Sequence, residues 1–128
     1  MKRYMELVRK LLLAIEENPN IDKIEGYDDE TIRYHQALLI EADLVKGKIT
    51  DGGFSNPSSA PMFVYIERLT WNGHEFLDNV RQDTVWNTIK SEFKNSSFKT
   101  ITKVGKELAE NYAKKKLEDL LNASSQIK

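Results

Sequence analysis

Residues Tyr27–Val45 read Y-D-D-E-T-I-R-Y-H-Q-A-L-L-I-E-A-D-L-V, and this stretch decides how the rest of the chain is organised. Asp28 or Asp29 can cap a helix, and acids in its first turn complement the partial positive charge of a helix N-terminus. At about 100° per residue, Ile32, His35, Leu38, Leu39 and Ala42 share one side, which is the side expected to be buried. Asp29, Glu30, Arg33, Tyr34, Ala37, Ile40 and Glu41 gather on the other. The helix should end near Ala42. Leu44 then enters a strand.

Upstream, a helix is expected from Arg3 to Glu17, with Met5, Val8, Leu12 and Ile15 on one stripe and Leu7 and Leu11 widening it. Pro19 stops it, and a short extended piece from Ile21 to Gly26 should follow. Downstream, Leu44 to Ile49 and Met62 to Leu69 are rich in Val, Ile, Tyr and Phe and read as two strands. The loop T-D-G-G-F-S-N-P-S-S-A-P (Thr50 to Pro61) joins them into a hairpin. Thr70 or Asn72 should then start one helix carrying Phe76, Leu77, Val80, Val85, Ile89 and Phe93. Trp86 serves as its large packing anchor, and the helix should end near Asn95. A last helix is expected from about Thr102 to Ala123, with Val104, Leu108, Tyr112, Leu117, Leu120 and Leu121 along one side. The chain contains no internal repeat.

The order helix, short strand, helix, strand, hairpin loop, strand, helix predicts an α+β fold of winged-helix type. It would combine a reduced helix-turn-helix with a β-hairpin wing and a C-terminal helical extension. Two phrases, I-R-Y-H-Q-A-L-L-I-E-A-D-L-V (Ile32–Val45) and R-L-T-W-N-G-H-E-F-L-D (Arg68–Asp78), resemble the "H-L-x-x-L-x-E-A-G-L-I" and "L-T-x-x-G-x-x-F-L" phrases of winged-helix regulators. Asp43 stands where those proteins usually carry glycine, so the resemblance implies a left-handed backbone there, which Asp tolerates less well than Gly or Asn. Taken with M-K-R-Y-M-E-L-V-R-K-L-L-L-A-I-E at the start and D-T-V-W-N-T-I-K (Asp83–Lys90), the chain resembles the domain-of-unknown-function 2513 family over residues 1 to about 122. That resemblance implies a winged-helix fold. It also implies an origin in bacteriophages, prophages and related mobile elements of low-GC Gram-positive bacteria. It transfers no catalytic or binding residue. The expected organisation is a winged-helix domain over residues 1–95 and a helical extension over 96–128 that packs on it or dimerises.

Composition narrows the function. The chain has 128 residues, 40% of them hydrophobic and 30% charged, which suits one soluble globular domain. It has no cysteine, so disulfides, thiolate nucleophiles and Cys-based zinc sites are excluded. No apolar run approaches a membrane span and no leader segment is recognisable, so the expected location is the cytoplasm. The net charge is −1 but unevenly spread. Between Asn18 and Asp43 seven acids face Lys23 and Arg33, whereas from Ser96 onward seven lysines face four acids. The only histidines are His35, on the apolar stripe, and His74, near a helix start. The sequence has no H-E-x-x-H, Gly-rich phosphate loop or G-x-S-x-G. No enzyme, cofactor or metal site is therefore expected. Glu25, Asp28 and Asp29 lack the spacing of a calcium loop.

Three uses remain open for the helix face opposite the core. It can be a solvated acidic surface, a protein-contact surface through Tyr34 and Ile40 with Phe54 from the hairpin loop, or a DNA reader. Of the base-reading and phosphate-binding types, only Arg33, Gln36, Lys46 and Lys48 qualify, and the loop from Thr50 to Pro61 has no Lys or Arg. Two functional classes follow. The first is a DNA-binding regulator, placed ahead by fold analogy, and the alternative is a module binding a host or phage protein as an adaptor or inhibitor, which the local charge favours. The apolar stripe of the last helix adds the expectation of a homodimer through that helix, with Lys114, Lys115 and Lys116 as further candidates for nucleic acid.

Overall fold

The computed structural model describes residues 1–50, 60–61 and 63–126. It is a mixed α+β chain whose elements run α1 (Met5–Glu17), α2 (Asp29–Glu41), β1 (Val45–Ile49), β2 (Val64–Leu69), α3 (Trp71–Val80), α4 (Asp83–Glu92) and α5 (Phe98–Gln126). The two strands form one antiparallel sheet. Among the described residues no helix is long and apolar enough to cross a membrane. The chain divides into two compact units, Met1–Leu77 and Asp78–Lys128, with the boundary inside α3.

In the first unit α1 buries Leu7, Val8, Leu11, Leu12 and Ile15. The Asp28 side chain caps α2 by accepting from the Thr31 N–H at 2.8 Å. The helix buries a wider arc than one stripe, namely Ile32, His35, Gln36, Ala37 and Leu39. Ala37, expected on the open side, is fully buried, while Ala42, expected inside, is exposed. The cause is that α2 packs on α1 and on both strands, so two of its sides are covered.

The hairpin pairs Val45 with Leu69, Lys48 with Tyr65 and Ile49 with Val64, with an irregularity between Lys46 and Gly47. The expected third extended piece, Ile21 to Gly26, does not join this sheet. Its backbone is spent locally: Ile21 N–H donates to the Asn18 carbonyl at 3.1 Å and Tyr27 N–H to the Ile24 carbonyl at 3.2 Å, with Gly26 at φ 91°.

The two family-like phrases meet at one joint. Asp43 adopts φ 59°, the left-handed conformation the sequence calls for. Its carbonyl accepts from the Thr70 hydroxyl, and its carboxylate accepts from Asn72 Nδ2 at 3.2 Å. Thr70 Oγ1 in turn accepts from the Gly73 N–H at 3.0 Å and so caps α3. A Cβ on Gly73 would stand 1.9 Å from the Leu44 carbonyl oxygen, so only glycine lets α3 come this close to the entry of β1.

In the second unit, the single helix expected from Thr70 to Asn95 is two helices. Val80 and Val85 are both buried, yet five residues apart on one helix they would lie about 140° from each other. The chain breaks at Arg81–Gln82, with Gln82 extended at φ −71° and ψ 133°, and α4 turns Val85, Trp86 and Ile89 inward on a new axis. The last helix begins at Phe98 rather than Thr102, because Ser97 Oγ accepts from the Thr100 N–H at 3.2 Å and supplies the cap. Its Gly105 lies against Val80 and Ile89. From Glu110 to Ser124 every residue of α5 is exposed, including Tyr112, Leu117, Leu120 and Leu121.

Candidate functional site

Strand β2 alternates strictly at its start. Val64 and Ile66 turn inward, Ile66 with 4% exposure, so Phe63 and Tyr65 must turn outward. They do so at 67% and 57% exposure, which leaves two aromatic rings in water on one small face. Beside them a cavity of about 270 Å³ is lined by Pro19–Lys23 of the α1–α2 linker, by Asp29, Arg33 and Gln36 of α2, and by Phe63–Ile66. All of these residues belong to the first unit.

The polar groups of this cavity differ in how they are engaged. Lys23 Nζ meets Asp29 Oδ1 at 2.6 Å, tying the linker to the first turn of α2. That hydrogen bond raises the Lys23 pKa above its ordinary value. Both partners are exposed, so the pair orients the linker more than it stabilises the fold. Gln36 is buried and donates from Nε2 to the Ile21 carbonyl at 3.4 Å, a long contact at the cavity floor. Arg33, partly buried, donates from Nε to the Pro61 carbonyl at 3.2 Å. It has no acidic partner among the described residues, so its Nη groups retain donors suited to a carboxylate.

The residues expected to contact DNA are therefore dispersed. Arg33 stands at the cavity and Gln36 is inside, held to the linker, so the two do not form a base-reading pair on an open helix face. Lys46 and Lys48 are exposed on β1, where Lys46 pairs across the ladder with exposed Arg68 and Lys48 with Tyr65. Of the residues expected to contact a protein, Tyr34 is partly buried with its ring edge on to His35 at 5.8 Å, and Ile40 packs over Gly47. Phe54 lies outside the described residues.

His35 is a core residue. Its Nε2 accepts from the Tyr4 N–H at 2.8 Å, which leaves Nδ1 to donate to the Thr31 carbonyl at 2.8 Å, and the Tyr4 ring stacks on it at 5.7 Å. Burial lowers its pKa below the ordinary 6.5. Among the described residues no group of three or more His, Asp or Glu could hold a metal ion.

Reasoning from sequence missed Phe63 and Tyr65 as surface residues. The signal was present: once Val64 and Ile66 are assigned to the core, a strand with period two has to expose its other residues.

The family model described as "Hypothetical protein (DUF2513)" matches residues 2–99, which include every residue lining the cavity. A protein of Haemophilus influenzae (strain ATCC 51907 / DSM 11121 / KW20 / Rd) bearing the name "Uncharacterized protein" is 37% identical over 103 residues. The aligned part is 76% of this chain and 82% of the relative. No solved structure matches the chain.

Proposed function

The chain belongs to the DUF2513 family, and from that premise we propose that it is a non-enzymatic protein-interaction module built on a winged-helix scaffold. The observation that carries this reading is the pair Phe63 and Tyr65, 67% and 57% exposed at the mouth of the cavity that holds Arg33. Exposed aromatics beside an arginine are the composition of a protein-binding hot spot, because each ring offers a large rigid contact area at little entropic cost. The exposed residues of α2 favour the same reading, since Asp29, Glu30 and Glu41 would repel the phosphates flanking a major groove. A mobile-element origin, implied by the family resemblance, suits a small chain that works by occupying a surface of a host or phage protein.

One observation favours DNA instead. Lys46, Lys48 and Arg68 share the outer surface of the hairpin and would meet a phosphate backbone without reading bases. The two readings separate in one paired experiment. Affinity capture with the wild-type chain and with a Phe63→Ser/Tyr65→Ser variant should yield a protein that the variant loses and that moderate salt does not release. Labelled duplex DNA at about 50 mM and 200 mM salt should show no salt-sensitive micromolar binding. Tight, salt-sensitive DNA binding that Lys46→Ala/Lys48→Ala removes, with no captured protein, would reverse the assignment.

A further inference from the structure

We infer that the cavity beside β2 is a strand-addition slot, whose occupant is an extended peptide segment of a partner protein carrying an acidic side chain; this rests on the protein-contact reading and names the ligand for it. Among the described residues the sheet has two strands, so β2 has one edge paired to β1 and one edge with no described strand beside it. Thr50 N–H donates to the Phe63 carbonyl at 3.1 Å, and Tyr65 pairs with Lys48 two residues further along each strand. In an antiparallel ladder bonded and non-bonded pairs alternate, so Phe63 and Tyr65 direct their backbone groups to β1. Val64 and Ile66 direct theirs to the open edge. That edge lines the cavity.

Another wall is the linker Pro19–Lys23, which overlaps the stretch expected to be extended (Ile21 to Gly26) but does not join the sheet. Among the described residues, then, no strand lies along this edge, where an extended chain can lie. A backbone ligand is favoured because open-edge N–H and C=O groups recur at the spacing of a strand, and main-chain pairing supplies the affinity in this mode of recognition. At about 270 Å³ the cavity falls just below the range of pockets that enclose drug-sized ligands, and it takes a side chain rather than a cofactor. Arg33 sets the charge of that side chain, since its Nη donors have no acid among the described residues, while the cavity's two carboxylates, Asp29 and Asp22, both act on Lys23. Phe63 and Tyr65 flank the slot and can close over the peptide's outward side chains.

The test selects short linear peptides from a random display library on the immobilised full chain and titrates the selected ones into isotope-labelled protein. Peptides with Asp or Glu should be recovered, and the Val64 and Ile66 amides should shift and gain protection from exchange. N-methylation at alternate peptide positions should abolish binding, while at the intervening positions it is tolerated. Arg33→Ala should weaken the acidic peptides about tenfold, the loss expected for one charge-assisted pair. Because the N-methyl scan uses wild-type protein, a folding defect in the variant leaves the decision intact. Recovery of no peptide, or of peptides that bind as helices or leave the Val64 and Ile66 amides unmoved, overturns the slot. If a captured protein still depends on Phe63 and Tyr65 in that case, the protein-contact reading survives and only its strand ligand is withdrawn. Absence of both removes the two together.

Discussion

The joint between Asp43, Thr70 and Gly73 shows how single residues fix this fold. Asp43 holds φ 59°, a conformation that costs a β-branched residue about 1–2 kcal/mol. Asp43→Gly should therefore leave stability near the wild type, whereas Asp43→Val should lower the urea midpoint, and equal midpoints for the two would contradict the backbone account. Thr70 is buried and its hydroxyl serves two partners, the Asp43 carbonyl and the Gly73 N–H. Thr70→Ala should cost about 2 kcal/mol in thermal or chemical unfolding, with Thr70→Ser restoring most of it. His35 makes a prediction in pH. Burial depresses its folded pKa below 6.5, so the unfolded chain takes up the proton first. Its contribution is complete above that ordinary value and declines as pH falls below it towards the folded value. Urea midpoints measured between pH 7.5 and 5.5 should fall in the wild type and flatten in His35→Gln. The left-handed position at Asp43 was legible because a short polar residue stood in a glycine slot. The partners of Thr70 were not, because they lie a hairpin away in sequence.

At the scale of elements, residue spacing predicted existence better than continuity. Both strands and the first two helices lie where alternation and helical periodicity put them, since those patterns report a local period that burial must respect. The break between α3 and α4 escaped because Arg81 and Gln82 are unremarkable in a helix. Only the demand that Val80 and Val85 both be buried forces it. The outer residues of α2 were misjudged for a related reason: one stripe was assumed where contacts with α1 and the sheet cover two sides, burying Gln36 and Ala37. The start of α5 was readable from Ser97, a good N-cap that a stripe beginning at Val104 hides. Because α5 is exposed from Glu110 to Ser124, a chain ending at Glu110 should unfold within about 0.5 kcal/mol of the full chain by chemical denaturation. A larger loss would show that this half of the helix is covered in solution, the outcome a homodimer through α5 requires.

For the molecule as a whole, the family and the α+β class were legible in the chain, while the surface on which the proposed function rests was legible only in part. Arg33 was singled out from sequence as a candidate DNA contact; its charge was visible in the chain and its neighbours in the cavity were not. The cavity brings it together with a linker and a strand edge from distant parts of the chain. Phe63 and Tyr65 read as strand formers until the sheet showed which way they face. The function proposed rests on that assembled face, and it is most directly tested in cells. Tyr65 is replaced by a photo-crosslinking phenylalanine derivative, the cells are irradiated, and the adducts are resolved by mass. A protein contact at this face should give a discrete protein adduct that disappears with Phe63→Ser and weakens with Arg33→Ala. Adducts to nucleic acid alone, or a protein adduct indifferent to both changes, would contradict it.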